Sequence, residues 1–200
     1  MKRKLLLSIL AVIPAMLMPL ATAAQVTPAE VPAPSERAEP TYKWEAFAGA
    51  SYTSLNQVNV SRYGLIGAEA SVTRDWGKYF GITADGAAFV HPVASGDPGT
   101  PKVYMVLFGP TFHAQVYGRL SGFGHALIGG EHTAGESEIP NISFAGGLGG
   151  GMEYSLSPRL ALRASGDDIF SSFVQDPTHQ GYSPHMRGNA RASFGVVYRF

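Results

Sequence analysis

From residue 43 onward, apolar and polar residues alternate along the chain. The final segment shows the pattern most fully, with one apolar series of alternate positions and one mostly polar series between them. A period of two is that of a β-strand, whose side chains point to opposite faces in turn. The same alternation predicts eight strands: Trp44–Leu55, Gly64–Trp76, Tyr79–Val90, Val103–Val116, Leu120–His132, Ile142–Leu156, Leu160–Phe170 and Ala190–Phe200.

One face of every predicted strand is apolar, as in the first, where Trp44, Ala46, Ala48, Ala50 and Tyr52 share a parity. Each strand also reaches the roughly nine to eleven residues that cross a bilayer when tilted. We therefore expect these faces to contact lipid. The aromatic residues near the strand ends are expected at the headgroup level; they are Trp44, Tyr52, Trp76, Tyr104, Tyr154 and Tyr198.

The opposite parity carries ionisable side chains, which an eight-stranded barrel would place in an interior just wide enough to be filled by them. Charges cut off from water must pair. We expect Arg163, Arg191 and Arg199 to pair with nearby carboxylates and to leave no wide pore. The predicted luminal charge network comprises Glu69, Asp85, His113, His125, Glu131, Glu153, Arg163, Asp167, Arg191 and Arg199.

Short and long connections alternate between the predicted strands. Gly77, Gly118 and Pro158 mark the short turns, whereas the connections over residues 56–62, 91–102, 133–141 and 171–188 are longer. The predicted fold class is all-β, an eight-stranded antiparallel up-and-down transmembrane β-barrel. In outer-membrane barrels the short turns face the periplasm, so both chain termini are expected there.

The amino-terminal residues have the pattern of a targeting segment. A basic start, Met1–Lys4, precedes an apolar run and the small residues Ala21–Ala24, which predicts a signal peptide over 1–24. Residues 25–42, rich in proline and without an aromatic side chain before Tyr42, are expected to form a periplasmic linker. The barrel then occupies residues 43–200.

Composition narrows the function classes. Charged residues make up 15% of the chain, and 24 glycines and 11% aromatic residues fit a β-rich protein with many turns. There is no cysteine, which excludes disulfides, thiolate catalysis and cysteine-based zinc fingers. A formal charge of zero gives no indication of a nucleic-acid partner.

Several motifs resemble those of small OmpA-like, porin-like outer-membrane β-barrels, including the acidobacterial type of outer-membrane β-barrel domain. They are Phe108–Phe112, Phe123–Gly130, Phe144–Met152 and Ser157–Arg163. The resemblance implies an outer-membrane location in a Gram-negative bacterium, contact with membrane lipid and lipopolysaccharide, and insertion by the barrel-assembly machinery. It also implies a carboxyl-terminal assembly signal formed by Phe194, Val196, Tyr198 and Phe200.

No motif predicts a catalytic, metal or cofactor site. The run Gly146–Gly151 matches no nucleotide-binding pattern, and it is expected to let a bent strand pass beneath bulky neighbours. His113 and His125 lie on the inward parity of adjacent strands, where a hydrogen bond to Glu131 is expected rather than a metal site. The His-x-Ser pattern of lipid A deacylases is absent.

These observations favour a structural or interaction protein that presents its loops to an external partner not identified by the sequence. A narrow channel for water or small ions and a lipid A-modifying enzyme remain the alternative functions. The structural alternative is a soluble lipocalin-like barrel, which would reverse the parity and bury the apolar side chains.

Overall fold

A computed structural model describes residues 42–55, 63–91, 102–134, 141–171 and 187–200. The predicted signal peptide, nearly all of the predicted linker and most of each longer connection lie outside these residues. The strands are β1 (Trp44–Leu55), β2 (Tyr63–Trp76), β3 (Phe80–Val90), β4 (Lys102–Tyr117), β5 (Leu120–Ala134), β6 (Asn141–Ser155), β7 (Leu160–Ser171) and β8 (Arg187–Arg199).

The eight strands form one closed antiparallel barrel in sequence order. Each strand pairs with the next, and β8 closes the barrel on β1, with Ala48 opposite Val196. The backbone N–H of Phe200 donates to the carbonyl of Trp44 at 2.9 Å. The predicted fold class is confirmed, and the predicted strand ends differ from the observed ones by at most three residues.

Three tight turns lie at one end of the barrel, together with the start of β1 and the end of β8. We call this the turn end. Gly77 and Gly118 have φ angles of 77° and 53°, a backbone conformation that glycine adopts without strain. In the third turn the Ser157 hydroxyl accepts a hydrogen bond from the Leu160 N–H at 3.1 Å. The opposite end, where the longer connections begin, is the loop end.

The outward face is apolar and the inward face holds the ionisable groups. Phe108, Phe112 and Leu148 are more than half exposed on the outside, whereas Glu45, Glu153 and Arg191 are each 2% exposed. The predicted parity is confirmed in every strand. This polarity is the reverse of that expected for a soluble lipocalin-like barrel. None of the described segments forms a helix that could cross a membrane.

The interior divides into two chemically different regions. Charged and hydroxyl side chains fill the turn-end half and the middle, and we call them the turn-end network. Buried hydrocarbon side chains dominate the loop end, although Glu131 and a few other polar residues share it. This loop-end cap comprises Leu55, Leu65, Ala87, Phe89, Val103, Met105, Leu107, Leu127, Ala145 and Ile169.

Candidate functional site

The candidate site is the interior of the barrel, and Arg191 on β8 lies at its centre. Its Nε atom donates to Asp167 Oδ2 at 2.8 Å, and Nη1 donates to Asp85 Oδ1 at 2.7 Å. Nη1 also lies 3.7 Å from Glu69 Oε2. Because these carboxylates come from β7, β3 and β2, one guanidinium ties strands on opposite sides of the barrel together.

Two serines extend this centre across the seam between β1 and β8. The Ser193 hydroxyl donates to Glu69, and the hydroxyl oxygens of Ser51 and Ser193 lie 2.8 Å apart. The two serines are also register partners in the strand pair that closes the barrel. The closing seam is therefore joined inside the lumen by side chains as well as by the backbone.

His125 joins the same centre through Asp167, whose Oδ1 lies 2.7 Å from His125 Nε2. These residues stand on β5 and β7, and Gly149 on β6 is the register partner of both. A Cβ atom at position 149 would collide with the Asp167 carboxylate. The absence of a side chain on the middle strand thus lets the imidazole and the carboxylate meet.

A second cluster of charges lies nearer the turn end. Arg163 donates from Nε to Glu153 Oε1 at 2.7 Å and from Nη2 to Glu45 Oε2 at 3.1 Å. Arg199 donates to the second oxygen of each carboxylate, at 2.8 Å to Glu45 and 2.6 Å to Glu153. Each guanidinium bridges both carboxylates, a directional arrangement that the planar fork of arginine favours.

Aromatic rings and hydroxyl groups fill the space around these charges. The rings of Phe47 and Phe123 lie 5.2 and 4.7 Å from the Arg163 guanidinium carbon, at cation–π distance. On the far wall, the Thr83 hydroxyl lies 2.7 Å from that of Thr73 and 2.6 Å from that of Thr111. These contacts leave little free space in the middle of the lumen.

One cavity in this part of the interior, lined by residues of β2, β3, β4, β5 and β7, measures about 10 Å³. A buried water needs roughly 10–15 Å³ on the same kind of measure. The space is therefore at the lower limit for one water molecule. Its lining includes Glu69, Asp85, His125 and Arg163.

The structure brings together most residues of the predicted luminal network, with two differences in pairing. His125 faces Asp167, and His113 faces Asp75 with Nε2 3.2 Å from Oδ1. The expected hydrogen bond from either histidine to Glu131 is therefore wrong. The strands that carry the two histidines, β4 and β5, are paired. The ring of Phe123 lies beside both imidazoles. Glu131 instead accepts a hydrogen bond from Ser171 near the loop end.

Two parts of the interior were missed in the sequence. Asp75 was left out, although it continues the inward parity of Glu69 and Thr73 on the same strand. The loop-end cap was also missed, although Val103–Phe108 is apolar at every position. An unbroken apolar run indicates a strand that is buried on both faces or faces two apolar environments.

The residues of the predicted assembly signal lie on the outside of β8. Phe194, Val196, Tyr198 and Phe200 are 60, 46, 45 and 53% exposed. The rings of Tyr198 and Phe200 stack with centroids 6.0 Å apart at the turn end. Their role in assembly remains a prediction from the sequence.

No protein-family model matches the chain, and no curated protein is similar to it in sequence. Similar solved structures exist. Neisserial surface protein A aligns with a TM-score of 0.63 and 13% identity, over 79% of this chain and 97% of that one. Ail, the attachment invasion locus protein of Yersinia pestis, aligns with a TM-score of 0.55 and 14% identity, over 80% and 99%.

The N-terminal β-barrel domain of OprF from Pseudomonas aeruginosa aligns with a TM-score of 0.53 and 13% identity, over 80% of this chain and 98% of that domain. Each alignment spans nearly the whole of the known barrel. The resemblance predicted from the sequence is therefore confirmed at the level of the fold. The chain has the fold of the small eight-stranded outer-membrane β-barrels.

Proposed function

We propose that this protein is a structural or interaction barrel of the outer membrane, with an interior filled by side chains rather than open as a pore. The turn end lies in the periplasm in this arrangement, and the longer connections face the outside. The proposal has three parts, namely membrane insertion, a filled interior and loops available to an external partner.

The outward face supports membrane insertion. Its exposed side chains are mostly apolar, with the charged Arg74, Lys102 and Asp168 lying toward the strand ends. Lipid tolerates such an apolar face. At the turn end the guanidinium of Arg74 lies 5.3 Å from the Trp44 ring and 5.4 Å from the Trp76 ring. Tryptophan and arginine together suit the headgroup level, where aromatic rings and long cationic side chains are enriched.

The filled interior carries the functional proposal. Arg163 and Arg199 bridge Glu45 and Glu153 near the turn end, and Arg191 crosses the middle. The loop-end cap covers them with hydrocarbon, and a central cavity of about 10 Å³ remains. A hydrated ion needs a continuous aqueous path, and side chains of both kinds stand in its way.

The fold also suggests the partners of the proposed barrel. Lipid and lipopolysaccharide would contact the outward face, and insertion would use the barrel-assembly machinery. The connections that would meet an external partner lie outside the described residues, so the proposal names no ligand for them. The interior arrangement favours a structural role over an enzymatic one, because the central Asp167 is buried and is engaged by both His125 and Arg191.

Planar-bilayer recording tests the filled interior. The purified chain, folded and verified by a heat-modifiable band on a gel, should give no defined conductance steps, while an open porin recorded in the same bilayers does. A reproducible unitary conductance that changes in Arg163→Met would instead identify a narrow channel. Mass spectrometry of lipid A from wild-type and deletion cells tests the enzymatic alternative, and we expect identical spectra.

A further inference from the structure

The strongest unexplained feature of the interior is a group of buried polar atoms at the turn end without hydrogen-bond partners. Both carboxylate oxygens of Asp75 and the Nε2 atom of His113 are buried and have no hydrogen-bond partner among the described residues. Asp75 is 3% exposed and His113 is 5% exposed. Buried polar groups in native proteins are nearly always hydrogen-bonded, so three orphaned atoms in one place indicate a missing partner.

These atoms point into a shared space with Glu45. One oxygen from Glu45, one from Asp75 and one imidazole nitrogen of His113 all lie within 4.8 Å of one another. His113 Nε2 and Asp75 Oδ1 lie 3.2 Å apart. Two ligands bound at about 2.05 Å to a tetrahedral zinc ion are separated by about 3.3 Å. The observed separation therefore suits two ligands of one ion.

A glycine makes this approach possible. Gly81 on β3 is the register partner of Asp75 on β2 and of Thr111 on β4, two residues before His113. A Cβ atom at position 81 would lie 2.7 Å from Asp75 Oδ1. At the second histidine–aspartate pair, Gly149 is the register partner of both residues, and His125 Nε2 lies 2.7 Å from Asp167 Oδ1, at hydrogen-bond distance. Of these two pairs, only His113 and Asp75 have buried atoms without a hydrogen-bond partner among the described residues.

The geometry points to a binding site for one first-row divalent metal ion, of the zinc type, held by Asp75, His113 and Glu45. One imidazole and two carboxylates are ligands that zinc accepts, whereas calcium and magnesium prefer oxygen ligands alone. Glu45 is already oriented by Arg163 and Arg199, which hold both of its oxygens. Such outer hydrogen bonds fix the position of a ligating carboxylate.

The position in the barrel fits access from the turn end. Asp75 is the residue before the last of β2, and the next residues form the turn at Gly77. The His113 N–H donates to the carbonyl of Tyr79 in the same turn at 2.9 Å. An ion bound here would join β1, β2 and β4 across the lumen. The inference depends on the fold and not on whether the barrel conducts.

Zinc binding to the purified chain, folded in detergent and freed of metal with a chelator, tests this inference. Equilibrium dialysis with Zn²⁺ should give one tightly bound ion per chain, and an excess of Ca²⁺ or Mg²⁺ should not displace it. His113→Gln and Asp75→Asn should each weaken this binding by at least about 100-fold, since even outer-shell changes weaken metal sites by about 10- to 100-fold. Gly81→Ala keeps all three ligands but crowds the Asp75 carboxylate, and it should also weaken binding.

His125→Gln is the matched control, because it removes a largely enclosed imidazole that faces an aspartate elsewhere in the lumen. It should bind zinc as the wild type does. A heat-modifiable gel band shows which variants are folded, and Gly81→Ala offers a test that does not remove a ligand. Absence of tight zinc binding in the folded wild type, or unchanged binding in folded His113→Gln and Gly81→Ala, would overturn the inference.

Discussion

The turn-end network and the loop-end cap fill the same barrel in opposite ways. In the network, Arg163, Arg191 and Arg199 are surrounded by carboxylates and donate directional hydrogen bonds to most of them. In the cap, Phe89, Leu107 and their neighbours form a cluster of buried apolar side chains. The comparison shows that the interior of one eight-stranded barrel can hold two packing types, ion pairs in one half and apolar side chains in the other.

The two regions should respond differently to the loss of one side chain. Removing an arginine leaves its carboxylates buried and uncompensated, which destabilises strongly. Removing a leucine leaves a cavity whose effect grows with the volume that stays empty. The network should therefore be sensitive to charge balance and the cap to volume, and substitutions can separate the two.

The largest effect is expected for Arg191→Met in the network. This substitution leaves Asp85, Asp167 and Glu69 facing one another without their shared cation. We expect a loss of about 3–5 kcal/mol in the free energy of unfolding. Urea-dependent unfolding of the barrel in lipid vesicles, followed by the heat-modifiable band, measures it.

Two companion variants distinguish charge balance from loss of volume. Arg119→Met, at an exposed position in a short turn, should change the free energy of unfolding by no more than about 0.5 kcal/mol. Adding Asp85→Asn to Arg191→Met removes one uncompensated charge and should recover part of the loss. Equal stability of Arg191→Met and wild type would show that the network contributes nothing.

A smaller effect is expected for Leu107→Ala in the cap. Leu107 is 0% exposed and belongs to the buried apolar cluster that forms the cap. We expect a loss of about 2–4 kcal/mol in the same unfolding measurement, from the cavity and the lost burial. The control is Val106→Ala, because Val106, the residue before Leu107 on β4, faces outward and is 68% exposed. A Val106→Ala loss as large as that of Leu107→Ala would contradict the assignment of the cap.

Thr83→Val tests the weaker hydrogen bonds of the network. The change keeps the shape of the side chain but leaves the hydroxyls of Thr73 and Thr111 without their common partner. We expect a loss of about 1–2 kcal/mol in the free energy of unfolding. Thr53→Val is the control, because the Thr53 hydroxyl makes only a long bond of 3.4 Å to a backbone carbonyl. Equal losses in both variants would count against the threonine contacts.

The smallest effect on equilibrium stability is expected outside both regions, for Phe200→Ala. The Phe200 ring is half exposed and stacks only on Tyr198, so the free energy of unfolding should fall by less than about 1 kcal/mol. If Phe200 is part of an assembly signal, its loss should still lower the amount of protein in the outer membrane of cells. A normal amount of the Phe200→Ala variant in the outer membrane would contradict the predicted assembly signal.

The strands and their faces could be predicted because a strand has a period of two. The outward and inward faces also differ sharply in polarity along most strands. Trp44–Leu55 illustrates this, with the same bounds in sequence and structure. Short turns could be located for a similar reason, since Gly77 and Gly118 need positive φ angles. Local rules were sufficient for these features.

The partners inside the lumen could not be predicted because they depend on the stagger between strands that are not neighbours. His125 meets Asp167 two strands away, over a glycine, and not Glu131 on its own strand. The cap was not predicted because its inward residues, such as Leu65 and Leu107, are apolar like the lipid-facing ones. Hydropathy alone does not distinguish the two faces there. Asp75 was not predicted as part of the lumen because its neighbour there, His113, comes from another strand.

The most direct test of the filled interior is the labelling of a cysteine placed in it, since the chain has no other cysteine. Ser193→Cys puts a thiol in the middle of the lumen, where Ser193 is 6% exposed. A charged, water-soluble thiol reagent should leave it unlabelled from either side of a vesicle until the barrel is unfolded, while Arg119→Cys in an exposed turn reacts at once. Rapid labelling of Ser193→Cys in the folded barrel would contradict the account.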